Sequence, residues 1–452
     1  MLQSIFASIR YFLYCQIAAF AAAVMINCAM QDAIAVELHN AAGRSAVAEI
    51  KFLGGIQAAT GINYGIGAFD AIGESERETL SLGLKPRLDL EWGLASSTLY
   101  STFSAVAATT TLDGELSGQV VRSGDQAIDT DSTKIGWRNE TLDFSIGGQD
   151  FAIGDGFVVG DGNFNKGPAD GQYWIGAFTA WRNSAILRVN TKPVRADVFW
   201  LRSDDDLGDA RIAGVNIETT TKDTFGTLGL MYVEIFDSND DLALEGMRVA
   251  SIRGADIKVP GIDNLKFFGE FVMERGESDL TGRDNNANAY FIEGNYQFTS
   301  VPWTPKFFFR YSHFSGDEGD TSDSEEYLGL FYTIFQRDWD TWYQGEVTGE
   351  FHLFNQNQVT KLAKVKVYPK PNWSLGMWYY NHDLDTPQYF GTPVTDTDWA
   401  EEINLAVEYF PSDRLYTYIG FAWGTPHQGA IDAIGGHDDT FVIEMFVSYT
   451  YR

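Results

Sequence analysis

Cysteine is nearly absent from this 452-residue chain, and the only two, Cys15 and Cys28, lie in a stretch that reads as a secretory leader. The mature protein therefore has no disulfide, thiolate metal site or cysteine nucleophile. Basic charge is scarce as well: 32 Lys and Arg against 62 Asp and Glu give a net charge of −30, which argues against nucleic acid as a partner. The six histidines show neither His-x-x-x-His nor His-Glu-x-x-His spacing, so no zinc-binding helix is predicted. Beyond residue 36 there is no run of eighteen apolar residues, and hence no transmembrane helix.

The leader itself is well marked. Arg10 is the only charge before Asp32, Tyr11 to Met30 is almost uninterrupted apolar sequence, and Ala33-Ile34-Ala35 offers small residues at signal-peptidase spacing. Residues 1–35 are expected to be cleaved, leaving one domain over 36–452. An uncleaved membrane anchor is the alternative; Asp32 and the Ala-x-Ala motif favour cleavage. About 415 residues exceed the usual size of a single core. A barrel escapes that limit, because lipid covers its outer face.

The far end supplies the fold. In the C-terminal stretch Phe441, Ile443, Met445, Val447, Tyr449 and Tyr451 share one parity, while Glu444, Ser448, Thr450 and Arg452 share the other, with Val442 and Phe446 among them. A terminal strand apolar on one side and rich in aromatics is how bacterial outer-membrane barrels close, with one face to lipid and one to a wet lumen. Such a strand also serves as the signal to barrel-assembly machinery. Glu78–Trp92 repeats the pattern: Leu80, Leu82, Leu84, Pro86, Leu88, Leu90 and Trp92 oppose Ser81, Gly83, Lys85, Arg87, Asp89 and Glu91. Four charges on one face and none on the other do not suit a soluble sandwich.

Further alternating segments fall at 45–52, 95–108, 118–122, 133–138, 142–149, 172–182, 184–190, 194–202, 211–220, 224–234, 247–258, 264–274, 288–298, 306–312, 324–334, 343–353, 364–367, 372–381, 399–410 and 414–423. In 247–258 the parity is ambiguous. Short links at 191–193, 369–372 and 410–413 read as periplasmic turns. Acidic links at 203–209, 237–241, 274–288, 315–326, 382–398 and 424–439 read as extracellular loops. The prediction is an all-β protein: a transmembrane antiparallel β-barrel of about 18 strands in the bacterial outer membrane. Fourteen per cent aromatic residues and 45 glycines fit interface girdles and hairpin turns.

Two stretches resemble a known family. Gly147-Gly-Gln149-Asp-Phe-Ala-Ile-Gly154-Asp155-Gly156, followed by Gly160-Asp161-Gly162, is similar to a glycine-rich motif of the alginate export porins. Phe309-Arg310-Tyr311-Ser312 through Ser315-Gly316-Asp317, followed by an acidic loop and Tyr327 to Phe331, resembles that family's strand and "S-G-D" loop. The resemblance implies an eighteen-stranded barrel through which a polyanionic saccharide diffuses past an arginine-lined constriction, with Lys85, Arg87, Arg188 and Arg310 in the narrow zone. Gly148 stands where the family tends to have arginine.

By parity alone, the lumen carries Lys85, Arg87, Arg138, Arg182, Arg188, Arg310, Lys364 and Lys366 against Asp89, Glu91, Asp143, Glu270, Glu346, Glu350, Glu402 and Glu408. As a set these charges imply an ion-selective lumen; singly, each is as well explained by pairing across neighbouring strands. The expected function is passive diffusion of a hydrophilic, anionic saccharide. The alternatives are a general or cation-preferring porin, and a barrel-embedded lipid hydrolase with His352 beside Glu350 as its acid–base pair. Expected partners are outer-membrane lipid and lipopolysaccharide, the solute, the assembly machinery and periplasmic secretion proteins. No cofactor is expected, save calcium on Asp317, Asp320 and Asp323, which offer hard oxygen ligands without EF-hand spacing.

Overall fold

The structure is a computed structural model that describes residues 37–41, 43–61, 76–112, 124–160, 175–204, 208–221, 224–239, 244–277, 282–319, 321–329, 331–332, 342, 344–436 and 438–452. The predicted leader and the predicted strand at 118–122 lie outside the described residues. The strands are β1 (Glu37–Ala41), β2 (Arg44–Thr60), β3 (Glu76–Gly93), β4 (Thr98–Leu112), β5 (Gln126–Arg138), β6 (Leu142–Gly148) and β7 (Asn183–Asn190). They continue as β8 (Val194–Arg202), β9 (Arg211–Thr219), β10 (Thr227–Asp237), β11 (Arg248–Val259), β12 (Ile262–Glu277), β13 (Asp284–Gln297) and β14 (Lys306–Phe314). The last are β15 (Gln358–Lys370), β16 (Trp373–Leu384), the two-residue strands β17 (Gln388–Tyr389) and β18 (Thr392–Pro393), β19 (Asp398–Ser412), β20 (Leu415–Pro426) and β21 (Thr440–Tyr451). A short helix α1 (Gln428–Ile434) lies between β20 and β21.

Strands β2–β16 and β19–β21 form one 18-stranded antiparallel barrel. Each pairs with the next, and β21 returns to β2 from Ile50↔Tyr451 to Thr60↔Phe441. Closure leaves no strand edge to be satisfied by water, which a bilayer cannot supply. β1 folds back on the start of β2.

The predicted parity decides which face is which. On β3, Leu82, Leu84, Leu90 and Trp92 are exposed, while Thr79 and Ser81 are buried and Lys85, Arg87 and Asp89 lie on the same inner face. On β21, Val442, Glu444 and Phe446 point inward. Exposed Ile252, Ile292, Phe309, Met377 and Leu405 extend the apolar belt around the far side. The connections alternate as expected: links 191–193, 371–372 and 413–414 are tight, and the opposite rim carries the long ones.

Among the described residues, three predicted strands are not formed as such. Of the segment 343–353, the described residues 344–353 form an inward loop containing a π-helical turn at Gly349–Leu353. The described parts of 324–334 and 172–182 are likewise loop, apart from isolated bridges. In 343–353 the alternation is real, but Val347, Phe351 and Leu353 are buried against other protein, with no lipid contact. The ambiguous parity of 247–258 has a simple cause. The register shifts between Gly254 and Ile257, with Asp256 at φ 52°, so residues on either side of the bulge keep different parities.

An arginine placed on the belt meets hydrocarbon. Ile292→Arg, mid-strand at 59% exposure, is expected to cost about 2–4 kcal/mol of barrel stability in liposomes, the usual penalty for a cation on a lipid-facing strand. Denaturant titration measures it. No loss would mean that this face is wet.

Candidate functional site: a lumen narrowed by two interlocked loops

Two long loops leave the extracellular rim and turn into the barrel. The loop between β6 and β7 begins at Gly147, whose φ of 116° and contact with the Thr133 carbonyl leave no room for a Cβ. It turns again at Gly154, also at positive φ, directly over the Arg253 side chain, where a Cβ would lie 2.8 Å from Cδ. The glycine-rich stretch picked out in the sequence is thus the part that enters the lumen. The loop between β14 and β15 enters from the other side.

Aromatic rings and tryptophan donors lock the loops together. Phe157 sits among Trp342 (4.6 Å between centroids), Phe291 (5.3 Å), Phe314 (5.6 Å) and Tyr327 (6.5 Å). Trp342 Nε1 donates to the Asp155 carbonyl at 2.9 Å. Within the first loop, Trp181 Nε1 donates to the carbonyls of Phe151 (3.0 Å) and Gly160 (3.1 Å) and fixes its fold. Val159 and Phe331 form a parallel bridge. Beneath them, part of the inner face of β8–β12 is apolar, with Phe199, Leu201, Met231, Val233, Val249 and Val272 buried against the loops. Each aromatic pair adds roughly 0.5–1.5 kcal/mol beyond its buried area.

The second loop is also pinned from the wall. The Glu402 carboxylate on β19 accepts the N–H groups of Val347 (3.1 Å) and Thr348 (2.8 Å) at the head of the π-helical turn. Asn355 donates to the Trp342 carbonyl at 2.9 Å and accepts from Gln344 at 2.6 Å. Glu346, Glu350 and His352, expected on a lumen-facing strand, are therefore part of the inward loop. His352 is fully buried, its ring 6.2 Å from Trp399. That burial removes it as the base of a lipid hydrolase.

The charges expected on the wall are there, in three groups. On β3–β5, Lys85 meets Asp131 at 2.6 Å, Arg87 binds Asp89 through two nitrogens (2.7 and 3.0 Å), and Arg138 pairs with Glu91 at 2.6 Å. On β7–β11, Arg188 and Arg195 flank Asp197 at 3.6 and 3.3 Å, Arg195 reaches Glu218 at 3.2 Å, and Arg253 reaches the same carboxylate at 2.7 Å and Asn216 at 2.6 Å. On β14–β19, Lys364 lies over Phe308 (5.0 Å) and Trp378 (4.7 Å), Lys366 pairs with Glu408 at 2.6 Å, and Arg310 lies over Trp342 at 4.9 Å. These last three line a recess of about 410 Å³ with Lys306, Phe308 and Glu293.

Three residues sit elsewhere than expected, or outside the description. Arg182 lies just before β7, 3.9 Å from Asp209 of the β8–β9 loop, so it belongs to the rim. Asp317 is held by the Arg283 guanidinium at 2.8 and 3.3 Å. Burial works against that carboxylate's charge, but Arg283 and the Gly319 N–H outweigh it and keep the group below the usual range. Asp320 lies outside the described residues. Among those described, no three acidic or histidine side chains converge as a metal site. Arg195, Asp197, Glu218 and Arg253 were not singled out in the sequence. Arg253 is masked by the β11 bulge, whereas the alternation of Arg195 and Asp197 with Phe199 and Leu201 mixes charge and oil on one inner face.

The interlock has a direct electrical readout. Phe157→Ala removes a ring from four aromatic neighbours, a change that costs about 3–5 kcal/mol at a packed site, and is expected to free the β6–β7 loop while the barrel stays folded. Single-channel recordings should show larger or flickering steps. Steps identical to those of the unmodified protein would mean that the loops do not set the narrowest point.

No protein-family model and no curated protein sequence matches the chain. Solved structures from Pseudomonas aeruginosa do. OccK2 (OpdF) in complex with glucuronate superposes with a TM-score of 0.60 at 12% identity, over 90% of this chain and 97% of that one. The outer membrane protein OpdK, in its structure with vanillate, gives 0.57 at 10%, over 89% and 98%. OccK5 (OpdH) gives 0.56 at 11%, over 89% and 97%. At such identity the likeness speaks for architecture: this chain has the closed 18-stranded fold of the bacterial outer-membrane porins of the OccK/OprD type.

Proposed function

We propose that the protein is a passive outer-membrane channel for small anionic solutes, with carboxylates of about the size of a sugar acid as the favoured class. The observation that carries this reading is how the wall charges are layered. Asp197 has no exposed side-chain surface, whereas Arg188 and Arg195 keep 35% and 37% of theirs. The carboxylate stands behind the two guanidinium groups, accepting from Arg195 and lying 3.6 Å from Arg188, and the guanidinium groups are the more exposed partners. A fixed, planar, partly hydrated donor suits a carboxylate that must bind weakly enough to leave. Asp89 and Glu91 are as exposed as their partners and temper the preference.

The net charge of −30 does not oppose this reading. Much of the acid lies in rim loops, and a charge more than about 8 Å away is largely screened at physiological salt. The resemblance to alginate exporters implies a polymer, but two interlocked loops across the lumen suit a compact solute better. Glucuronate and vanillate, found with the OccK2 and OpdK structures, are both small carboxylates. In this reading lipid meets the belt, lipopolysaccharide meets the rim, and the β21 strand is what the assembly machinery receives.

Planar-bilayer recording in a salt gradient tests the proposal. The reversal potential should show anion preference, reduced when Arg188 and Arg195 become alanine together. Liposomes should admit glucuronate faster than glucosamine of similar size. Cation preference in the unmodified protein would replace the proposal with a general or cation-preferring porin.

A further inference from the structure

At the extracellular end of β8–β12 the outward face of the barrel turns from apolar to basic. Arg202 closes β8, Arg211 opens β9, Arg248 opens β11 and Arg275 lies near the end of β12. Each shares the parity of a lipid-facing residue on its own strand: Val198, Val215, Ile252 and Phe271. On β10, between the two halves of this set, the outward residue is Glu234.

The arginines stand in two opposed pairs. Arg202 lies in register with Arg211, and Arg248 with Arg275. Residues opposed on one face of an antiparallel ladder bring their Cβ atoms to about 4.5–5.5 Å, so like charges there repel unless an opposite charge joins them. The first pair is answered within the protein. Asp209 accepts from Arg202 at 2.5 and 2.8 Å, and Asp237 pairs with Arg211. Asp209 lies in the rim loop, where Arg202 above all, with Arg182 and Arg211 behind it, holds its carboxyl below the usual range.

The second pair has no such answer. Arg275 Nη1 donates to two neutral acceptors, the carbonyls of Glu274 (2.6 Å) and Ala287 (2.8 Å). Arg248 has no hydrogen bond or ion pair among the described residues. Glu234 is in register with Arg248, and Glu277 follows Arg275 on β12, but neither carboxylate pairs with these arginines. Both arginines are exposed. Below them Tyr232, Met273 and Tyr290 face outward, and tyrosine rings gather at the headgroup level of a membrane. Two guanidinium groups thus stand side by side at the depth where the glycolipid of the outer leaflet carries its phosphates.

We propose that Arg248 and Arg275 form a binding site for a phosphate of outer-leaflet lipopolysaccharide, with the acyl chains lying on the apolar face of β10–β12 beneath. The site rests on the barrel's place in the outer membrane and on nothing in the lumen. A phosphate presents paired oxygens that match a guanidinium fork, and one dianion between two forks turns a repulsive contact into a bridge. Lys361, outward at the extracellular end of β15, is a built-in comparison. It faces Tyr311 and Asn381 in register and is already held by Asn381 (2.9 Å) and Asp383 (3.0 Å).

Native mass spectrometry of the folded barrel in neutral detergent, with bisphosphorylated lipid A as the probe, tests the site. The unmodified protein should retain this lipid in preference to the same lipid stripped of phosphate. Arg248→Gln combined with Arg275→Gln should weaken retention about tenfold or more, the scale of one lost hydrogen bond to a charged group. Lys361→Gln should leave it unchanged. Heat-modifiable migration on a gel checks that each variant is folded. Without lipid the double variant should be at least as stable as the unmodified barrel, because a like-charge contact is gone; with lipid A the order should reverse. Equal retention of the two lipids, or an equal loss in Lys361→Gln, overturns the site. So does displacement by excess inorganic phosphate, which would make it a site for small anions. Loss of retention on chelating divalent cations would also overturn it, and would assign the contact to Glu234 and Glu277 through a bridging metal. A barrel that binds lipid A as expected but does not conduct would sink the channel proposal and leave the lipid site standing.

Discussion

Everything in this molecule follows from the need to pair each backbone N–H and C=O where no water is available to do so. A closed antiparallel ladder meets that need, since β21 returns to β2 and no strand of the described barrel is left with an open edge. Closure then fixes the side chains. Every second residue must face hydrocarbon and every other one the lumen, so the wall is two surfaces written in one alternating sequence. Between the rims the outer surface needs only to be apolar. The inner one is free to carry charge, aromatic rings and docking sites, and all of the channel's chemistry is found there or on loops that turn into it.

That rule explains how much could be read in advance. Glu78–Trp92 and the C-terminal strand are wall over most of their length, with charge on one side and oil on the other, and the structure places them as the sequence implied. The rule has no purchase on a segment buried on both sides. Residues 343–353 alternate as cleanly as a strand, but Val347, Phe351 and Leu353 pack under the β16–β19 loop and Glu402 holds the turn from the wall. Alternation records which residues are apolar and is silent on whether lipid or protein covers them. Arg253 was hidden by the opposite failure. It lies on the wall, but a single bulge two residues on breaks the count that would have revealed its face.

The lumen is organised by depth as much as by position. A carboxylate set back in the wall can stand beside a guanidinium without cancelling it, because burial keeps the acid away from a passing solute while the base stays the more exposed of the two. Asp197 does this for Arg188 and Arg195. The pairing of these charges with neighbours and their use in selectivity are therefore compatible. The glycine-rich resemblance to alginate exporters also acquires a physical meaning. Gly147 and Gly154 let the β6–β7 loop leave the wall and settle on Arg253, a need common to barrels that narrow themselves with an inward loop. It carries no information on the length of the solute.

The central claim is that water and anions reach the inner face beside these arginines while the outer face sees only lipid. Site-directed labelling tests this directly, since the only two cysteines in the sequence, Cys15 and Cys28, precede the first barrel strand. Asn190, exposed on the inner face of β7 beside Arg195 in register, and Val198, 50% exposed on the outer face of β8, would each be changed to cysteine in proteoliposomes. The account predicts that the cysteine at 190 reacts with water-soluble thiosulfonates, faster with the anionic sulfonate than with the cationic ammonium reagent, and that the one at 198 reacts with neither. Labelling at 198, or a faster reaction of the cationic reagent at 190, would contradict it.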